Sequence, residues 1–127
     1  MDRPVQPWLS FADADLAAAE HNLATGFPHH WVTAFHAQQA VEKALKAAIS
    51  NRGQEFPFTH DLGLLLQLCQ DAGLEVPADL AGADELTPYA AAIRYGLGDP
   101  SAVPASDALR WAALAVEWVE SELRSDS

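Results

Sequence analysis

Both lysines of the chain lie on one edge of a predicted helix. At intervals of three and four residues this edge carries His36, Gln39, Lys43, Lys46 and Ser50. Residues at these intervals are neighbours on a helix surface, and Arg52 follows closely. In a chain with so few cations, this clustering favours a pocket for an anion such as a phosphate group.

The same edge also has a purely structural interpretation. Glu42 precedes Lys46 by four residues, an order that stabilises an exposed helix surface through an ion pair. Gln38 falls inside the apolar stripe of this helix and Glu42 lies at its edge. A buried amide must find hydrogen-bond partners, which indicates a constrained polar network. Spacing alone leaves the anion pocket and the solvated helix surface both open.

Two shorter motifs follow along the chain. Thr59-His60-Asp61-Leu62 places a histidine in the predicted first turn of a helix, where partial positive charge can hold an anion. The alternative is that Thr59, as the N-cap, and Asp61, in the first turn, merely cap the helix. Arg94-Tyr95 offers a guanidinium for phosphate and a ring for stacking. Its alternative is an Arg that neutralises a helix C-terminus beside a packed Tyr.

Common metal and nucleophile motifs are missing from the sequence. His29, His30 and His36 have no carboxylate or cysteine at a recognised ligand spacing, and His-Glu-x-x-His does not occur. Gly-x-Ser-x-Gly and glycine-rich phosphate loops are also absent. Cys69 sits among leucines, where a thiol is usually inert. We therefore expect no metal site and no cofactor.

The elements that must position these residues are helices. Strand-like alternation is nearly absent, and Pro and Gly interrupt strong helical periodicity. The predicted helices cover about residues 8–23, 30–51, 59–73, 77–96 and 104–124, and Pro88 kinks or divides the fourth. The sequence predicts an all-α fold of four to five helices that forms one domain over residues 1–127.

The last predicted helix is apolar on two sides. One stripe consists of Leu109, Ala112, Val116, Val119 and Leu123. The other, placed roughly opposite, consists of Trp111, Leu114, Ala115 and Trp118. The second stripe needs its own partner and suits the core of a dimer interface. A helix that is apolar all round can also simply be central, and the dimer argument fails if these residues are buried within one subunit.

Composition narrows the possible functions. The formal charge of −11, from 18 acidic and 7 basic residues, argues against broad binding to DNA but permits a small basic pocket. No apolar run approaches the roughly 20 residues that span a bilayer, and we find no secretion signal. With a single cysteine, these features predict a cytoplasmic protein without membrane contact.

Several segments resemble the HEPN family of prokaryotic helical domains. The resemblance involves Asp15-Leu16, residues 35–47, Thr59-His60-Asp61-Leu62, Tyr89 and Arg94-Tyr95. It covers nearly the whole chain in the expected order. The segment Gln-Gln-Ala-x-Glu-Lys-x-Leu-Lys, at residues 38–46, is its most specific part.

The resemblance implies an up-and-down helical bundle that is usually a homodimer. Such domains are often encoded beside a minimal nucleotidyltransferase in toxin–antitoxin pairs, and are similar to the helical domain of kanamycin nucleotidyltransferase. It implies a groove for a nucleotide (ATP-like) or RNA. Carried over by position, the groove residues are Gln39, Lys43, Lys46, His60, Arg94 and Tyr95.

The sequence departs from the family's ribonucleases, which carry Arg-x(4–6)-His. No histidine follows Arg94, and seven residues separate Arg52 from His60. We therefore expect a non-enzymatic nucleotide- or RNA-binding protein that pairs with a nucleotidyltransferase. One alternative is a metal-independent ribonuclease toxin that uses Arg94 with His60 or His36. The other is a non-catalytic dimeric interaction module.

Overall fold

The helices of this chain pack as a bundle. A computed structural model describes residues 5–91 and 103–125. Its elements are α1 (Val5–Ala24), α2 (His30–Asn51), α3 (Leu62–Asp71), a 3-10 helix (Ala78–Leu86) and α4 (Ala105–Ser125). No strand occurs in these ranges, so the predicted all-α class is confirmed. None of the described helices has the length and apolar composition needed to cross a membrane.

α2 lies at the centre of the bundle and contacts α1, α3, the 3-10 helix and α4. Its apolar face is rich in alanine, and Ala37, Ala40, Ala44 and Ala47 are fully buried. Such small side chains let neighbouring helices approach closely. Along α2, His36 contacts Asp15, Lys43 contacts Phe11 and Lys46 contacts Trp8. Later residues of α2 thus contact earlier residues of α1, so the two helices run antiparallel, as an up-and-down bundle requires.

The start of α3 differs from the sequence prediction. Asp61 is the N-cap, and its carboxylate accepts a hydrogen bond from the Leu64 amide at 3.2 Å. The Thr59 hydroxyl accepts from the Asp61 amide instead, at 3.0 Å. The prediction that Thr59 is the N-cap is therefore wrong. Its hydroxyl bonds to the amide of Asp61, the capping residue, and to no amide of the first helical turn. His60 consequently precedes the helix and does not lie in its first turn.

The predicted fourth segment is divided. It begins with the 3-10 helix, a turn follows at Thr87 and Pro88, and helical backbone resumes at residues 89–91. The Asp84 carboxylate accepts from the Thr87 hydroxyl at 2.9 Å and from the Gly63 amide at 3.0 Å. The Leu62 amide donates to the Thr87 hydroxyl at 3.1 Å. These bonds attach the 3-10 helix to the first turn of α3.

α4 uses one broad apolar face. Its buried residues are Ala105, Ala108, Trp111, Ala112, Ala115, Val116 and Val119. Members of both predicted stripes therefore share the core. Their opposite placement was wrong because, at about 100° per residue, Trp111 and Ala115 fall beside Val119 and Ala112 on one face. Trp111 and Ala115 are buried within this one chain, which removes the dimer argument for them. Leu114 and Trp118 are half-buried, and the predicted dimer interface stays a prediction at these two residues.

Trp111 fits against a glycine of the 3-10 helix. A Cβ atom added at Gly82 would lie 2.8 Å from Cζ2 of the Trp111 indole. We expect Gly82→Ala to lower the free energy of unfolding by about 1–3 kcal/mol, because a rigid buried ring must move. Chemical denaturation measures this loss. The loss caused by Gly82→Ala should be smaller when position 111 carries Phe, which is a smaller ring than Trp. An equal loss of unfolding free energy with Trp and with Phe would show that Gly82 is not held close to this ring.

Candidate functional site

One edge of α2 carries polar side chains, and it lies between α1 and the loop before α3. Together these residues form what we term the α2 polar network. Its members are Asp15, His36, Gln38, Gln39, Glu42, Lys43, Lys46 and His60. They form two carboxylate-centred groups, one around Glu42 and one around Asp15.

Glu42 is the centre of the first group. Its side chain is only 5% exposed and accepts three hydrogen bonds. Gln38 Nε2 donates to Oε1 at 2.9 Å, His60 Nδ1 donates to Oε1 at 2.8 Å, and Lys46 Nζ donates to Oε2 at 2.9 Å. Gln39 extends the group by donating to the Gln38 carbonyl oxygen. The polar network predicted from Gln38 and Glu42 is thereby confirmed.

Lys46 is enclosed by aromatic rings. Its ammonium lies 5.3 Å from the ring centroid of Trp8 and 5.5 Å from that of Phe56. These rings meet edge to face at 5.9 Å. A cation near a ring face is attracted by the ring quadrupole, so Lys46 joins α1, α2 and the following loop. The interpretation of Lys46 as part of a solvated helix surface was wrong, because the lysine is only 4% exposed.

Asp15 is the centre of the second group. His36 Nδ1 donates to Oδ1 at 3.1 Å, and Lys43 Nζ donates to Oδ2 at 2.7 Å. Lys43 also lies 5.7 Å from the ring centroid of Phe11. The side chains of His36 and Lys43 remain 31% and 23% exposed. This group therefore reaches solvent, whereas the ion pair of Glu42 with Lys46 does not.

Both carboxylates are held in the ionised form. Burial alone would raise the pKa of Glu42, but hydrogen bonds from Lys46, His60 and Gln38 outweigh it and lower that pKa. Burial likewise opposes ionisation of Asp15, and the bonds from His36 and Lys43 outweigh it, so the pKa of Asp15 is also lowered. An ionised carboxylate only accepts hydrogen bonds. Each histidine therefore carries a proton on Nδ1.

His60 holds a ring nitrogen without a partner. Its Nε2 is buried and has no hydrogen bond in the described part of the chain. Since Nδ1 carries the proton, Nε2 of the neutral ring is an acceptor. A carboxylate that orients a histidine through Nδ1 is the geometry of a general base. The same nitrogen also suits a hydrogen bond from a ligand hydroxyl or amine.

The structure brings together four of the six residues predicted for the groove. Gln39, Lys43, Lys46 and His60 all belong to the α2 polar network, with Lys46 inside and the other three partly exposed. The other two lie outside the described residues, and these are Arg94 and Tyr95. Sequence reasoning missed the central roles of the two carboxylates. The available signals were the four-residue spacing of Gln38, Glu42 and Lys46 and the presence of Asp15 in the family resemblance.

Other candidate chemistry is limited in the described ranges. No three histidine, cysteine or acidic side chains of residues 5–91 and 103–125 converge as a metal site. Burial raises the pKa of the Cys69 thiol to about 12, so the thiol stays protonated and is a poor nucleophile. The α2 polar network therefore remains the candidate functional site.

Comparisons with known proteins identify the family and support the fold. A family model described as HEPN domain matches residues 5–122. ST0689, an archaeal HEPN homologue of known structure, is 25% identical with a TM-score of 0.70, and the match covers 96% of this chain and 98% of that chain. TT1696 from Thermus thermophilus is 30% identical with a TM-score of 0.73, and the match covers 94% of this chain and 98% of that chain. No curated protein matches the sequence.

Removal of the buried ammonium should destabilise the fold. We expect Lys46→Met to lower the free energy of unfolding by about 3 kcal/mol, because it leaves a buried carboxylate without its cation. Lys43→Met is the matched control and should cost only about 1 kcal/mol, since its ion pair is more exposed. Urea denaturation compares the two. Equal losses would contradict the assignment of Lys46 to the interior.

The Glu42 carboxylate should make stability depend on acidic pH. A lowered folded pKa contributes stability above the ordinary value of 4.5 for Glu, and this contribution disappears as pH falls through the folded pKa. The melting temperatures of wild type and Glu42→Gln should therefore differ most near neutral pH and converge in strong acid. Thermal melts across this range test it. The exposed Glu117→Gln variant should follow wild type throughout, and a constant gap for Glu42→Gln would refute the linkage.

Proposed function

The chain belongs to the HEPN domain family, and from this premise we propose that it binds a nucleotide or RNA at the α2 polar network. In this proposal it does so without catalysing a reaction. It acts as a homodimer, in the cytoplasm, with a minimal nucleotidyltransferase as partner in a toxin–antitoxin-type pair.

One observation carries the binding proposal. Two carboxylates hold lysine and histidine side chains together at one edge of α2, in a protein whose formal charge is −11. Both lysines and His36 lie on α2, and His60 meets it from the loop before α3. This grouping of nitrogen-bearing side chains supports a site for a small anionic ligand.

The exposed members of the network take different roles in the proposal. The Lys43 ammonium has three donors, of which Asp15 occupies one, so it can still donate to a phosphate oxygen. The Gln39 amide and the exposed part of the His60 ring offer contacts to ribose or base. His60 Nε2 is buried and reaches a ligand only after a local movement. Lys46 contributes indirectly by fixing Glu42. Arg94 and Tyr95 are expected to complete the site with a phosphate contact and a stacked ring.

The described charges of the network balance. Asp15 and Glu42 offset Lys43 and Lys46, and the histidines add positive charge only when protonated. An anionic ligand therefore gains most from directed hydrogen bonds and from the additional cation of Arg94. This favours a compact nucleotide or a short RNA segment over a long phosphate backbone, which needs a broad basic surface.

The assembly part of the proposal rests on the family and on α4. Homodimers and nucleotidyltransferase partners are what the family resemblance implies. On α4, Leu114 and Trp118 are half-buried, and they remain the residues proposed for self-association.

A second candidate function is metal-independent RNA cleavage. The geometry of His60 favours it, because Glu42 holds Nδ1 at 2.8 Å while the buried Nε2 has no hydrogen-bond partner among the residues that the structure describes. In such a reaction His60 would remove the proton of a ribose 2′-hydroxyl as its oxygen bonds to the adjacent phosphorus. The bond from phosphorus to the 5′-oxygen would break, and the leaving 5′-oxygen would take up the proton from His60, while Arg94 would stabilise the phosphate. Purified protein that leaves RNA intact would exclude this candidate. Cleavage that His60→Ala abolishes would support it.

The binding proposal is tested by calorimetric titration with ATP and with a short single-stranded RNA. Wild type should bind at least one of them saturably. Lys43→Ala should weaken that binding about tenfold or more, because a hydrogen bond to a charged group is lost. Lys43 is changed alone, since loss of Lys46 would also destabilise the fold.

Arg110→Ala is the matched control, because it removes an exposed cation on α4 and should leave affinity unchanged. No saturable binding by wild type would contradict the proposal and favour a non-catalytic interaction module. Equal losses in Lys43→Ala and Arg110→Ala would show that net charge alone controls binding, and would remove Lys43 from the site.

A further inference from the structure

We infer that Phe58 is a stacking platform for an unpaired nucleobase, so that the ligand class is a nucleotide or single-stranded RNA end with an accessible base. The inference rests on the proposed function and makes it more specific. A stacking ring at this position would favour ligands with an unpaired base over polyphosphates and over double-stranded RNA.

Phe58 is exposed although the loop around it is anchored. Its exposed fraction is 88%, the largest among the large apolar side chains that the structure describes as exposed. Two residues earlier, Phe56 packs against Trp8 and Lys46. Two residues later, His60 is bound to Glu42. The residues on both sides of Phe58 are thus held in place, and the backbone between them directs the ring into solvent.

The position of Phe58 links it to the α2 polar network. Its ring centroid lies 5.5 Å from that of His60, with an interplanar angle of 72°. A base on the free face of Phe58 would thus lie one ring away from His60. Aromatic stacking tolerates any base, and neighbouring polar atoms provide orientation.

A second exposed ring accompanies the other carboxylate group. Phe11 is 55% exposed and lies beside Lys43. Each group of the network thus pairs a nitrogen-bearing side chain with an exposed phenylalanine. Aromatic rings interleaved with cationic groups are typical of sites for single-stranded nucleic acids. Bases in a duplex keep their faces stacked on each other, so only an unpaired base can use such a ring.

The experiment compares ATP with inorganic tripolyphosphate, which lacks base and ribose, on wild type, Phe58→Ala and Phe58→Trp. Phe58→Ala should bind ATP about tenfold more weakly, while its affinity for tripolyphosphate equals that of wild type. Phe58→Trp should retain ATP affinity, because a larger ring still stacks. Leu23→Ala removes another exposed apolar side chain and should change neither affinity. A short oligoribonucleotide replaces ATP if wild type binds only RNA.

The outcomes separate this inference from the proposed function. If wild type binds neither ATP nor the oligoribonucleotide, the proposed function fails and the inference fails with it. If wild type binds and Phe58→Ala binds equally well, only the stacking role is wrong. An equal loss for ATP and tripolyphosphate would also overturn it, because the change would not involve the base. So would a shift from dimer to monomer in sedimentation with unchanged ATP affinity, which would assign Phe58 to a protein interface.

Discussion

The buried carboxylate of Glu42 is the constraint on which the arrangement of this site depends. An ionised group that is almost removed from water needs several donors to compensate for lost hydration. Gln38 and Lys46 supply two of them from the turns before and after Glu42, and His60 supplies the third from the loop before α3. The loop must therefore follow a path that brings His60 to α2. Lys46 in turn fixes Trp8 of α1 through its ring contact.

The two lysines show how neighbours determine the role of a residue. Lys43 and Lys46 are one turn apart on the same edge of α2. Two aromatic rings cover Lys46, whereas Lys43 meets a rim carboxylate and an exposed ring. Lys46 consequently stabilises the fold, and Lys43 is available to a ligand. A buried polar network of this kind destabilises the fold when one of its hydrogen bonds is missing, and it makes the structure rigid when all of them are formed.

The aromatic side chains connect the fold with the proposed chemistry. Trp8 and Phe56 face inward and hold the buried ion pair, while Phe11 and Phe58 face outward beside Lys43 and His60. A nucleotide combines phosphate charge with a flat base, and this edge combines a partly exposed cation, Lys43, with the exposed rings of Phe11 and Phe58. The acidic remainder of the protein restricts such recognition to a small part of its surface.

The sequence by itself determined the helical class, most helix bounds and the polar network around Gln38 and Glu42, because helical periodicity and four-residue spacing are local properties. It also determined the family, through the segment at residues 38–46. Only the tertiary structure decided that Asp15 and His60 meet α2, that Lys46 is enclosed, and that Trp111 packs inside its own chain. These outcomes depend on how separate helices pack, and contacts between residues distant in sequence leave no periodic signal within either segment.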